Sequence, residues 1–249
     1  MVSQKLFLFI VLLLALSSEA QAEVFPGFMN KAERRSVLPY FSNSYAQQVM
    51  TRPYFLGSKP GLEVGTSISY RNLSDLKDNF PTDNIKDELI LTQLFIKKSL
   101  VHGLELTISS SLSSFGTTQA SGFGGVLSWH PLNLEDFIVL PVISLFTNYL
   151  NFEDTLSFQE SGLQLIAGKN FKQFSVKAGA SYSKLSSTFS GSSNGRQITD
   201  SSLDEKDNIW IHTYFASVHV EIDHYLLTFT QNYTIDGGWN PNIIVSYQF

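Results

Sequence analysis

Apolar and polar positions alternate along most of this chain. From Leu62 onward, segments of about ten residues place a hydrophobic side chain at every second position, with turn formers between them. In LEVGTSISY, Leu62, Val64, Thr66, Ile68 and Tyr70 share one face, and Glu63, Gly65, Ser67 and Ser69 the other. LELTISSSL sets Leu104, Leu106, Ile108 and Leu112 against Glu105, Thr107, Ser109 and Ser111. FSVKAGASY sets Phe174, Val176, Ala178, Ala180 and Tyr182 against Ser175, Lys177, Gly179 and Ser181. A period of two belongs to β-strands. The pattern predicts strands at 62–72, 87–98, 103–114, 119–130, 137–150, 156–168, 174–188, 209–220, 225–234 and 242–249. Apolar residues run almost without a break in 87–98 and 137–150, and the faces of 156–168 and 209–220 are ambiguous.

The first residues change the picture. Met1 to Lys5 is a short basic start, LFLFIVLLLAL is too short to span a membrane as a helix, and Ala20-Gln21-Ala22 matches a cleavage site. Residues 1–22 therefore read as a secretory signal peptide, with a retained N-terminal anchor as the alternative. Composition points the same way. Aromatic residues make up 13% of the chain, with 20 Phe, charged residues only 16%, and cysteine is absent. No later apolar run is long enough for a membrane helix. An exported, aromatic, charge-poor chain with alternating segments is expected to cross lipid as strands.

The connections supply a separate argument. Counting from the first strand, the even links SLVH, PLNLED, KNFKQ and EIDH are short. Two odd links, LSDLKDNFPTDNIK and FSGSSNGRQITDSSLDEKDN, are long and polar, while FGTT and NFEDT are short. Short turns on one rim and longer loops on the other predict an all-β, antiparallel, up-and-down transmembrane β-barrel of about ten strands over 62–249. A soluble periplasmic β-sandwich also alternates, but it explains neither the one-sided loops nor a chain that stops on NIIVSYQF. An open sheet edge is not tolerated in hydrocarbon, so the last strand is expected to pair with the first and to run to the final residue. That closing strand resembles the C-terminal aromatic signature of bacterial outer-membrane β-barrels, with Ile243, Val245, Tyr247 and Phe249 as the matching residues. The resemblance implies the bacterial outer membrane as location, with outer-membrane lipid and the assembly machinery as partners. It says nothing about activity.

Residues 23–61 differ. They lack sustained alternation, contain several prolines and carry a net charge of +3, against −8 for 62–249. Three readings stand: a plug folded into the lumen and paired with Glu63 or Glu105, a periplasmic leader, or an added hairpin that makes twelve strands. Glu63, Arg71, Glu105 and Lys177, with Ser67, Ser69, Ser109, Ser111, Ser181 and Ser183, are the candidate lumen-lining residues. They suit a narrow path for small solutes, or an interior in which they pair and fill the space.

Other chemistry is weakly signalled. Ten strands resembles the omptin outer-membrane proteases, and His212 lies near Asp200, Asp204, Glu205 and Asp207, with Asp83, Asp87 and Glu88 in the other long loop. No omptin motif matches residue by residue, and a lipase-like barrel would require a His–Ser pair on adjacent lipid-facing positions. A catalytic role is therefore not expected. The five His are scattered, so no metal site is expected, and neither is a cofactor. Gly122, Gly124 and Gly125 lie in a strand, without the helix a phosphate loop needs. The sequons at Asn72 and Asn232 are short enough to arise by chance. The negative balance gives no reason to expect nucleic acid. Tyr70, Trp129, Tyr149, Trp210, Tyr225, Tyr233, Trp239 and Tyr247 are expected in interfacial girdles, with DGGWNP as a tight turn. The chain thus reads as a narrow porin-like channel or structural barrel whose long loops meet external partners, with a surface-loop binding or adhesion barrel, and after it a rim hydrolase, as the alternatives.

Overall fold

A computed structural model of the protein describes residues 35, 38–40, 61–72, 88–115, 118–131, 140–152, 156–171, 174–189, 192–193, 196–197 and 207–249. Ten of its strands close into one antiparallel barrel: β1 (Leu62–Asn72), β2 (Glu88–Ser99), β3 (Leu104–Phe115), β4 (Thr118–Trp129), β5 (Leu140–Phe152), β6 (Leu156–Asn170), β7 (Phe174–Phe189), β10 (Asp207–Ile222), β11 (Tyr225–Thr234) and β12 (Gly238–Gln248). Two further strands, β8 (Ser192–Ser193) and β9 (Arg196–Gln197), pair only with each other, inside the longest loop. The barrel therefore has ten strands, and no hairpin is added to it among the described residues.

Closure is made by β1 and β12, which pair from Glu63↔Gln248 to Ser69↔Asn242. The amide of Phe249 donates to the carbonyl of Leu62 at 2.9 Å, so the terminal residue itself completes the ladder. The order around the ring is otherwise sequential, each strand meeting its predecessor through a direct link. One rim carries the links 100–103, 130–139, 171–173 and 223–224. The other carries 73–87, 116–117, 153–155, 190–206 and 235–237. His102, Asp223 and Asp236 take left-handed backbone angles in three of the tight turns, a conformation that His and Asp tolerate better than most residues.

Outward positions are apolar and exposed, as at Ile108 (60%), Phe123 (66%) and Leu145 (57%). Trp129, Tyr225 and Tyr247 ring the short-turn end; Tyr70, Tyr149, Trp210, Tyr233 and Trp239 ring the long-loop end. Several are locked to one another, Tyr233 to Trp239 at 4.9 Å and Tyr225 edge-on to Tyr247 at 5.1 Å. An apolar belt between two aromatic girdles is the form a barrel takes in lipid.

The inward face is not uniformly polar, which accounts for the four segments with obscured alternation. Leu91 and Phe95 of β2, Val142, Phe146 and Leu150 of β5, Phe158 and Ile166 of β6, and Ile211 and Phe215 of β10 all point inside and are buried. Three of these Phe residues lie directly across from a glycine: Gly65↔Phe95, Phe146↔Gly162 and Gly179↔Phe215. A Cβ built on Gly65 would stand 2.6 Å from the Phe95 ring, and one on Gly162 would stand 2.8 Å from the Phe146 ring. Each ring thus lies over the backbone of the neighbouring strand, an aromatic covering of glycine that pins register. Through Gly179, Phe215 reaches past β7 to join Val142 and Ile166 in one apolar cluster.

The glycines can be tested against each other. A Cβ on Gly162 would also meet the Tyr182 carbonyl oxygen, so Gly162→Ala is expected to cost about 1–3 kcal/mol through overpacking. At Gly125 the nearest heavy atom lies 3.8 Å away, and Gly125→Ala is expected to stay within about 0.5 kcal/mol. Urea unfolding in lipid vesicles checks the contrast.

Candidate functional site

The lumen is where polar chemistry collects, because outward positions face lipid. Glu63, Arg71 and Glu105 are each 1% exposed and Lys177 is 3% exposed, all on inward positions. The serines at 67, 69, 109, 111, 181 and 183 are buried on the same face. Lys97, Glu160, His130 and His219 also point inside and were not singled out from sequence. Lys97 and Glu160 lie in segments whose alternation is obscured by inward Phe and Leu side chains. His130 sits one residue beyond β4, in phase with Ser128, and that phase was the signal available.

The four candidates separate into two groups along the barrel axis. Near the short-turn rim, Glu63 stands opposite Lys97 in the β1–β2 register, with the ammonium 3.4 Å from Oε2. Ser246 donates to Oε1 of the same carboxylate at 2.6 Å, tying the closing strand into the pair. Glu105, opposite Ser99 on β2, meets His130 Nε2 at 3.1 Å. Farther round, Ser144 donates to Ser128 at 2.9 Å. Lys177 projects from β7 between Gly168 and Ser217. On β10, His219 meets the Thr228 hydroxyl at 2.8 Å, and Thr230 donates to Ser217 at 2.7 Å.

Arg71 belongs to the opposite end, one residue from the long-loop end of β1. Its guanidinium donates to the carbonyl of Gly237 in the β11–β12 turn. It also lies 5.6 Å from the centre of the Tyr40 ring. Glu160 stands on β6, five strands around the ring, and Ser183 donates to it at 2.6 Å. Glu63 and Glu105 thus have partners on the barrel wall, while Tyr40 lies against Arg71 and Pro39 against Gly237. Apart from Arg35, the rest of 23–60, on which the plug, leader and hairpin readings also rest, lies outside the described residues.

The buried charges among the described residues are Glu63, Glu105, Glu160, Arg71, Lys97 and Lys177. Three acids face three bases, so the excess negative charge of 62–249 falls on other residues. Across β11, β12 and β1 the wall is hydroxyl and amide: Thr228, Thr230, Asn232 and Thr234 on β11, Asn240 and Asn242 on β12, and Ser67 and Ser69 on β1. Asn242 donates to Ser69 across the closing seam at 2.5 Å. Among the described residues, no group of three or more His, Cys, Asp or Glu is placed to hold a metal ion.

His212 faces outward. Its ring lies 4.8 Å from Tyr182, which stacks on Trp210 at 4.8 Å and 4°, so it belongs to the aromatic girdle of the long-loop end. Asp83, Asp87, Asp200, Asp204 and Glu205 lie outside the described residues, and Glu88 and Asp207 are described in their backbone alone. Of the C-terminal signature residues, Ile243 is exposed on the outer face and Tyr247 packs edge-on against Phe249 at 4.8 Å.

A closed strand ring, an apolar outer belt between aromatic girdles and a polar interior occur together here. The chain is a β-barrel of the outer-membrane type. No family model and no curated protein matches its sequence. Solved structures similar to it include a KdgM porin in complex with disordered oligogalacturonate, at 8% identity over 76% of this chain and 99% of that one, TM-score 0.39. LpxR from Salmonella typhimurium aligns at 8% identity over 75% of this chain and 100% of that one, TM-score 0.42. The translocator domain of the autotransporter NalP from Neisseria meningitidis aligns at 9% identity over 88% of this chain and 97% of that one, TM-score 0.38.

The Glu63–Lys97 pair yields a double-mutant test. Lys97→Met leaves a buried carboxylate without its cation and is expected to cost about 3–5 kcal/mol. Adding Glu63→Gln to that variant is expected to recover most of the loss, because both charges are then gone. Equal losses in the single and double variants, measured by urea unfolding, would contradict the pairing.

Proposed function

We propose that this chain is a narrow, porin-like channel that passes small solutes across the bacterial outer membrane, with its short turns in the periplasm. The observation that supports this most directly is the inner wall, where buried acids and bases in equal number are set among hydroxyl, amide and apolar side chains. A wall of this kind offers a solute many weak hydrogen bonds and little net charge, which favours passage over capture. Ten strands and inward Phe rings keep the bore small, so the solutes are expected to be small. Closing-strand residues Ile243, Val245, Tyr247 and Phe249 are read as the address for the assembly machinery. Residues 1–22 are read as the export signal.

Single-channel recording of the refolded mature protein in a planar lipid bilayer tests this. Discrete conductance steps are expected, with weak selectivity between small cations and anions because the buried charges balance. A protein that folds and inserts yet stays silent, both intact and with residues 23–60 removed, would refute the channel. The structural-barrel reading would then take its place.

A further inference from the structure

We infer that the chain closes its own lumen, with residues 38–40 seated as a stopper in the long-loop mouth and held there by Arg71 and Gly237. The inference rests on the channel reading for its consequence, but its geometry is independent of it. β1 leaves the short-turn rim at Gly61 and Leu62, where Ser99 donates to the Gly61 carbonyl. Leu38, Pro39 and Tyr40 precede β1 in the chain, yet they lie at the opposite end, beside the last residues of β1 and the β11–β12 turn. Leu38 is 0% exposed, Pro39 is buried and Tyr40 is half-buried, so the first two are packed and not laid on the surface.

Three contacts meet at this point. The Arg71 guanidinium faces the Tyr40 ring at cation–π distance, 5.6 Å from its centre. The same guanidinium donates to Gly237, whose backbone is in turn pressed against Pro39. A Cβ placed on Gly237 would stand 2.6 Å from the Pro39 carbonyl oxygen and 2.7 Å from Arg71 Nη2. Position 237 therefore admits only glycine while residues 38–40 are seated. The Tyr40 ring and the Gly237 carbonyl meet at the same buried guanidinium, so Arg71 ties residues 38–40 to the β11–β12 turn and holds them in place.

The absence of native cysteine makes a direct test clean. Leu38→Cys supplies one thiol, to be challenged with a maleimide in the folded, membrane-inserted protein and again after unfolding in urea. Labelling of the folded protein is expected to be slower by more than about tenfold. Adding Gly237→Leu, which wedges a side chain into the seat, is expected to restore fast labelling. Tyr40→Ala is the second variant, since it lies outside the strands and leaves the barrel's own packing intact; it is expected to speed labelling in the same direction. Fast labelling of the folded Leu38→Cys protein would overturn the inference whatever the channel does.

Conductance then tests closure separately. Open events are expected to be about tenfold more frequent in Gly237→Leu and Tyr40→Ala than in the unaltered chain. Equal opening in all three, with the thiol at position 38 protected, would show that the seated residues leave the lumen open and would overturn closure. Silence in all three and after removal of residues 23–60, again with protection, would overturn the channel reading and uphold the seat.

Discussion

Everything in this structure depends on one rule of the hydrocarbon environment: no backbone N–H or C=O may be left without a partner. A sheet in lipid satisfies that rule only by closing on itself. The pairing of β1 with β12, carried to the amide of Phe249, is therefore the contact on which the other nine strand pairs depend. Closure also fixes which side chains meet lipid and which meet each other, because a strand offers only two faces. Side-chain bonds reinforce the seam from inside, Ser246 to Glu63 at one end and Asn242 to Ser69 toward the other.

The same rule sets the electrostatics of the interior. Charges cannot face outward in the apolar belt, and inside the barrel these side chains are buried away from bulk solvent. They are stable inside only as matched sets, because an unpaired buried charge costs several kcal/mol, on the order of 3–5 when a partner is removed. The wall meets this with acids and bases in equal number. Glu63 and Lys97 are adjacent in register and form a local pair that ties β1 to β2, whereas Glu160 on β6 accepts a hydrogen bond from Ser183 of β7.

Much of the fold was legible in the residue pattern, because a two-residue period over ten segments leaves few architectures open. Ten of the expected strands appear within a few residues of their expected ends. The departures have physical causes. β12 begins at Gly238, not at 242, even though Pro241 suggests a loop. The register with β1 starts only at Asn242, so Pro241 sits where β12 has a strand neighbour on one side. β5 is described from Leu140, and the expected start at 137 lies outside the described residues. The inward Phe residues were illegible for a deeper reason. Alternation separates two faces only when they differ in polarity, and Phe95, Phe146 and Phe215 make the inner face apolar where a glycine across the seam gives each ring room.

Candidate lumen residues were legible as a face, since Glu63, Arg71, Glu105 and Lys177 all occupy the polar phase of their strands. Their partners were not. Arg71 and Gly237 are 166 positions apart, and only closure brings their strand ends to one mouth. Position 237 carries information that its letter alone does not. Among turn residues a glycine usually reports backbone freedom, but Gly237 is not among the glycines with positive φ, whereas its neighbour Gly238 is. What excludes a side chain at 237 is the approach of another backbone, that of Pro39, and the guanidinium that both segments share. The tight turn and the basic residue near the end of β1 thus form one feature of the long-loop mouth, built around a segment that precedes the barrel in the chain.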